Sequence, residues 1–251
     1  LYYPVDPTSR HDAYVGGTLS CNASGFVPGE KGATRYWVKE IELILINGYS
    51  LMIKRGDYIS INGEFIIQCD DKTIKMPIPR YKRPQIKNAS GPFSSMNSEI
   101  DFIDLIIGSE GIFGMITECV FALDSTPKNH LELFLRLEDE NKAIALHQFL
   151  YKEFDGDMSN VTALEYFGYN CQTYMKNKDF LFNNEQEVGL YIQVPVDNDN
   201  IDPKITEWAE LLSAFDTNFD LDNIIVLNDS SNWKKFFEAR HSIPDNALTK
   251  T

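Results

Sequence analysis

"LIIGSEGIFGMITE", residues 105–118, sets Gly108, Gly111 and Gly114 at intervals of three between an apolar run and an extended-looking segment. Glycine loses more backbone freedom on folding than any other residue. A cluster of it therefore marks a tight turn, a positive φ angle, or a surface where something flat or charged lies against the main chain. The spacing is not that of a dinucleotide fingerprint, which needs glycines at relative positions one, three and six, directly after a strand and opening a helix. Here the glycines are followed by "MITECVFAL" (115–123), rich in β-branched and apolar residues, which reads as a strand. On its own the stretch predicts a glycine-rich turn between two strands.

Working outward, the 251 residues allow one large or two modest domains with an ordinary core. Hydrophobic residues make up 43% and aromatics 12%, with no apolar run of membrane-spanning length. Acids outnumber bases 37 to 23, for a net charge of −14, which disfavours a nucleic-acid partner because phosphate binding needs clustered Lys and Arg. The local basic stretch "RYKRPQIK" (80–87) reads as a solvated loop. Cys21, Cys69, Cys119 and Cys171 form no Cys-x-x-Cys pair and have no His at ligand spacing, so reduced thiols in a cytoplasmic protein and no metal site are expected. A start at Leu1 and an end just after a helical pattern suggest a piece of a longer protein.

Upstream of the glycines, residues 36–69 carry two Asn-Gly pairs, Asn47-Gly48 and Asn62-Gly63, each flanked by β-branched and apolar residues. Asn-Gly favours type I′ turns, so 36–78 is predicted as an antiparallel meander. Downstream of "DSTPKN" (124–129), a linker-like join, strands and helices alternate. "HLELFLRLE" (130–138), "EVGLYIQVPV" (187–196) and "NIIVLND" (223–229) read as strands. "NKAIALHQFLYKEF" (141–154) places Ile144, Leu146, Phe149, Leu150 and Phe154 on one helical face. "DPKITEWAELLSAF" (202–215) opens on an Asp202 cap with Pro203 at the first helical position and carries Ile205, Trp208, Leu211, Leu212 and Phe215 as its stripe. "SSNWKKFFEARHSI" (230–243) begins the last helix.

A second glycine segment lies near the start of the chain, where "VGGTLSCNASG" (15–25) holds Gly16-Gly17 and the small residues Ala23, Ser24 and Gly25. Two stretches thus offer backbone N–H groups and small side chains, as a long, flat, phosphate-bearing ligand requires. Taken with "YPVDPTS" (3–9), "KGATRYWV" (31–38), "IDLIIGSEGIFGMITE" (103–118) and "NWKKFFEARHSIPDNAL" (232–248), in this order, the chain resembles the FAD-linked oxidases and dehydrogenases of the vanillyl-alcohol oxidase type. The nearest likeness is to the branch of glycolate oxidase, D-lactate dehydrogenase and D-2-hydroxyglutarate dehydrogenase, which also holds the alkyl-dihydroxyacetone-phosphate synthases.

The resemblance implies an α+β protein. Residues 1–126 would be the second half of a PCMH-type FAD-binding domain, and residues 127–251 part of a ferredoxin-like substrate cap, an antiparallel sheet with helices. It further implies FAD contacts at Pro7, Thr8, Ser9, Gly16, Gly17, Cys21, Asn22, Ala23 and Ser24, and at Glu110, Gly111, Ile112, Phe113, Gly114, Met115 and Ile116. Ile112-Phe113 and Cys21 depart from the Thr-Leu and Thr that are common there, so backbone rather than side-chain contacts are expected at these places. Arg240 would meet the substrate carboxylate, a task suited to the planar guanidinium fork. His241, about 100° round the helix from Arg240, would not share that target.

The implied activity is oxidation of a D-2-hydroxy acid (lactate, glycolate or 2-hydroxyglutarate-like) by hydride transfer to flavin, with electrons passed to an acceptor. The catalytic base and any metal ligands would lie outside these residues, as would the glycine-rich pyrophosphate loop. Two alternatives remain open: an alkyl-phosphate-synthase-like flavoenzyme, and a non-enzymatic module that keeps the fold.

Overall fold

The computed structural model describes residues 1–7, 9–69, 71–78, 81, 91, 93 and 99–249. The chain forms two compact units, Leu1–Thr126 and Pro127–Thr251.

In the first unit the strands are β1 (Val38–Leu45), β2 (Ser50–Lys54), β3 (Glu64–Cys69), β4 (Lys72–Pro77) and β5 (Gly114–Phe121), with short helices α1 (Val15–Ser20), α2 (Thr34–Trp37) and α3 (Phe102–Ile106). Every pairing is antiparallel, but the strands do not run as one meander. β1 sits between β2 and β5, while β3 and β4 pair only with each other among the described residues. Alternating residues of β1 and β2, including Ile41, Leu43 and Ile53, turn inward and meet Phe65 and Ile67 of the second ladder and the apolar face of α3. Each such side chain contributes about 1.5–3 kcal/mol when fully buried.

The two Asn-Gly pairs behave differently. Asn62 and Gly63 both have positive φ (52° and 86°), and Ile61 and Glu64 exchange both backbone hydrogen bonds, as in a type I′ turn. At the β1–β2 connection only Gly48 is left-handed (85°), and its N–H returns to Leu45 O. That is a three-residue loop closed by glycine, not the expected type I′ turn.

The second unit is built as β6 (Asn129–Leu137), α4 (Glu140–Glu153), β7 (Ala163–Phe167), α5 (Lys178–Leu181), β8 (Val188–Val196), α6 (Asp202–Phe215), β9 (Ile224–Val226) and α7 (Ser230–Thr249). The sheet order is β7-β8-β6-β9, antiparallel throughout. Setting α5 and α7 aside, this is the split β-α-β pattern of a ferredoxin-like sheet. Leu131, Leu133, Leu135 and Leu137 of β6 and Val188, Leu190, Ile192 and Val194 of β8 face α4 and α6.

Two details of these helices differ from the sequence reading. In α4 the buried positions are Ala143, Leu146 and Leu150, while Ile144 is exposed. The stripe is therefore set one residue to the side, with the small Ala143 against the sheet. Asp202 lies inside the first turn of α6 and Ile201 is the N-cap, so Asp202 contributes its charge to that turn and does not cap it.

Candidate functional site

Two distant stretches of the first unit are joined backbone to backbone. Asp101 caps α3, accepting from Ile103 N at 2.8 Å and from Gly56 N at 2.6 Å, and so fixes where this short helix starts. Just beyond, Gly108 N donates to Leu19 O and Glu110 N to Ser20 O, both at 2.9 Å. Arg35 clamps the joint from beneath, its Nη2 donating to Ile107 O at 2.7 Å and its backbone N to Oδ1 of Asn22 at 2.8 Å. Asn22 is buried and left-handed (φ 47°), and its side-chain oxygen is turned inward to Arg35 N.

The glycines here divide into two classes. A Cβ on Gly25 would lie 2.2 Å from Asp6 O, one on Gly108 3.0 Å from the Asn22 Cβ, and one on Gly114 2.4 Å from Ile44 O. These three are demanded by the chain's own packing. Gly111 is left-handed (φ 80°), which its turn requires. Gly16 and Gly17 meet neither condition. They are exposed, lie within α1, and would have nothing within 4 Å of an added Cβ. A helical glycine costs about 0.5–1 kcal/mol relative to alanine. Nothing in the described chain requires it at these two positions.

The remaining candidates are placed as follows. Pro7 and Ser9 accept backbone hydrogen bonds in an exposed turn; Thr8 lies outside the described residues. Cys21 is exposed, and Ala23 O accepts from both the backbone N and the hydroxyl of Thr34. Glu110, Ile112 (81% exposed) and Met115 (62%) project outward, whereas Phe113 and Ile116 pack into the core. A polar cavity of about 320 Å³ opens nearby, walled by Asn22, Glu30, Arg35, Lys39, Arg55 and Asp104 among others. Arg55 in that wall is held by Asp104 and by the carbonyls of Val38 and Arg35.

In the second unit the candidate residues lie on the sheet face opposite α4 and α6. Phe236 of α7 is fully buried and stacks on Tyr191 at 4.7 Å, and the guanidinium of Arg240 (7% exposed) donates from Nε to Glu165 Oε2 at 2.7 Å. Tyr191 donates its hydroxyl to Glu132, which also accepts from Gln193 Nε2 at 2.8 Å. Burial pushes the Glu132 carboxyl above its ordinary value, outweighing the two hydrogen bonds that pull it down. Burial likewise pushes the Tyr191 phenol up, so it stays protonated at working pH. His241 turns away from Arg240, its Nδ1 against Phe237 O at 3.0 Å.

A pH test follows for Glu132. Its folded-state pKa is raised, so its stabilising contribution is complete below the unfolded pKa and is lost as pH rises through the folded one. The melting temperature of Glu132→Gln minus that of wild type is expected to increase as pH rises above the unfolded-state pKa and to level off above the folded-state one. A pH-independent difference in thermal melts would reject this.

Comparison with known proteins bears on both units. No family model matches the chain. It is 29% identical over 168 residues to D-2-hydroxyglutarate dehydrogenase of Stutzerimonas stutzeri (strain A1501), a match covering 66% of this chain and 27% of the relative. It is 26% identical over 143 residues to glycolate oxidase subunit GlcD of Bacillus subtilis (strain 168), covering 57% and 23%. With D-lactate dehydrogenase of Anaerostipes hadrus the identity is 29% over 145 residues, covering 58% and 23%. Over these stretches the chain is similar to curated dehydrogenases and an oxidase subunit. It spans about a quarter of the length of these curated relatives. Solved structures of alkyldihydroxyacetonephosphate synthase share the fold over 97% of this chain, with TM-scores of 0.56 and 0.58 at 15% and 16% identity, and the chain covers 40% and 38% of them.

Sequence reasoning missed Arg35, which locks the two glycine segments together, and Glu165, which holds Arg240. Both act through contacts between residues far apart in sequence, 72 and 75 positions respectively. Among the described residues no cluster of His, Cys, Asp and Glu is able to hold a metal ion, and no helix is long and apolar enough to cross a membrane.

Proposed function

We propose that the chain is part of an FAD-dependent oxidoreductase acting on a D-2-hydroxy acid, with flavin-lining segments in residues 1–126 and a substrate-binding arginine in residues 127–251. The observation that carries this is the Gly16-Gly17 pair. These are two exposed helical glycines with open space above them, in a segment whose Leu19 and Ser20 carbonyls accept from Gly108 and Glu110 of the second glycine stretch. Such a surface fits a flat cofactor laid against the main chain. The relatives' names, dehydrogenases and an oxidase of hydroxy acids, supply the reaction class.

When bound, the flavin accepts the two electrons and the hydrogen of the substrate's α-carbon. The chain's own contribution is positional. Residues 15–24 and 108–116 present backbone and small side chains to the cofactor, and the outward Ile112 and Met115 offer apolar cover. Arg240 receives the substrate carboxylate and sets the orientation of the α-carbon.

The test is Arg240→Lys in the intact enzyme. Lysine keeps the charge and loses the planar fork, so kcat/KM for the hydroxy acid is expected to fall roughly tenfold or more at unchanged flavin content. Unchanged kinetics would remove Arg240 from the site.

A further inference from the structure

The tripeptide Ile-Asn-Gly occurs twice in the first unit, at residues 46–48 and 61–63. Asparagine followed by glycine is prone to spontaneous loss of its side-chain amide, because glycine has no Cβ to hinder its own nitrogen as that nitrogen attacks the asparagine Cγ. With the same three residues in both places, intrinsic reactivity is closely matched. A difference between the two copies is therefore set by the fold.

Both copies lie at the tip of a two-stranded connection with open space around them. Asn47, Gly48 and Asn62 are exposed, and a Cβ added to either glycine would meet nothing within 4 Å. Water and hydroxide reach both, but the reacting atoms are held differently. In the first copy Gly48 N donates to Leu45 O at 2.9 Å, and Asn47 Oδ1 accepts from Tyr49 N at 3.2 Å. In the second the turn is closed by its neighbours: Ile61 and Glu64 exchange backbone bonds of 2.8 and 3.1 Å, while Gly63 contributes its carbonyl, which accepts from Ile78 N at 3.0 Å. Among the described residues neither the Gly63 N–H nor the Asn62 side-chain amide makes a hydrogen bond.

Those are the two groups the reaction uses. Hydroxide takes the proton from the glycine N–H, and the nitrogen attacks Cγ. The new N–Cγ bond closes a five-membered succinimide as the bond from Cγ to the side-chain nitrogen breaks and, with a proton from water, ammonia leaves. Water then opens the ring at one carbonyl or the other, giving aspartate or isoaspartate. The balance is one water consumed and one ammonia released, with no change of oxidation state. Each turn must open locally for the asparagine backbone to rotate into the attacking geometry, so that cost falls on both copies. Only at Gly48 must a hydrogen bond of the attacking nitrogen also be given up, which at the usual net strength is worth about two- to tenfold in rate.

We propose that Asn62-Gly63 is a site of spontaneous deamidation in the folded protein, while Asn47-Gly48 is protected by its loop. The product places a new negative charge next to Glu64. Isoaspartate also adds a main-chain carbon to a turn of two residues and so breaks the pairing of Ile61 with Glu64, since register in a hairpin is fixed by loop length.

The experiment holds the 251-residue chain folded in mildly alkaline buffer and, in parallel, unfolded in concentrated urea for the same times. Trypsin places the two copies on separate peptides, Asn47 on residues 40–54 and Asn62 on residues 56–72. Mass spectrometry of each peptide counts the amide-to-acid exchange, fragment ions place it, and labelling by a protein isoaspartate methyltransferase marks the isoaspartate product. In the folded chain Asn62 is expected to convert roughly threefold faster than Asn47 or more, and in urea the two rates should agree within about twofold. Equal rates in the folded chain, faster conversion of Asn47, or no conversion of Asn62 over times that exhaust the urea sample would each overturn the proposal. A difference that persists unchanged in urea would overturn it as well, because the fold would then not be its cause.

Discussion

Gly114→Val is expected to destabilise the first unit by about 3 kcal/mol or more, enough to lower its melting temperature by many degrees. Gly114 is the first residue of β5, with φ at 156°, and pairs with Leu45 of β1. A side chain there would start 2.4 Å from Ile44 O and 3.1 Å from a methyl carbon of Leu43. The first contact is with backbone, which cannot swing aside without opening the β1–β5 ladder that closes the core. Gly17→Ala is the internal control. Its Cβ would enter open space in a helix, so stability is expected to rise by about 0.5–1 kcal/mol. Thermal melts of the two variants should therefore move in opposite directions. A loss below about 1 kcal/mol for Gly114→Val would show that the ladder yields more easily than its geometry implies.

The contrast also shows which parts of the molecule were legible in sequence. Strand and helix placement in the second unit, β7 and α5 excepted, followed from local periodicity, because the long elements there bury one face against the same sheet. Finer detail did not. The sequence around Ile144 permits two helical stripes, and only the sheet selects the one through Ala143. Asn47-Gly48 and Asn62-Gly63 are the same dipeptide, yet the spacing of the flanking strands makes one a three-residue loop and the other a two-residue turn.

The site was legible as a list and not as an arrangement. Sequence order singled out Gly16, Gly17, Gly108, Gly111 and Gly114 as one kind of residue. The structure assigns Gly108 and Gly114 to packing within the chain, Gly111 to a turn, and leaves Gly16 and Gly17 facing open space. No local pattern carries that difference, because it depends on what stands opposite each Cα. The same limit hid Glu165: "ALEYF" is not among the strands that periodicity picks out, and its glutamate gains meaning only when α7 brings Arg240 onto it.

The 251-residue chain by itself is expected to emerge from gel filtration colourless, even when it is loaded with FAD. Residues 14–25 and 105–116 hold no Lys or Arg, and Glu110 is their sole charged residue. The cations just behind them, Arg35 and Arg55, are turned to backbone carbonyls and Asp104. A doubly charged pyrophosphate laid along this surface would meet neutral backbone and one carboxylate. Each missing charge-assisted hydrogen bond forfeits about 1.5–3 kcal/mol. Two such losses weaken binding roughly a hundredfold to ten-thousandfold, since each ~1.4 kcal/mol is a factor of ten. If the chain grips only the ring side of the cofactor, riboflavin and FAD should bind it about equally weakly, whereas the intact enzyme should prefer FAD strongly. Stoichiometric FAD surviving gel filtration on this chain, or a large preference of the chain for FAD over riboflavin, would mean that these residues contain a pyrophosphate cradle of their own.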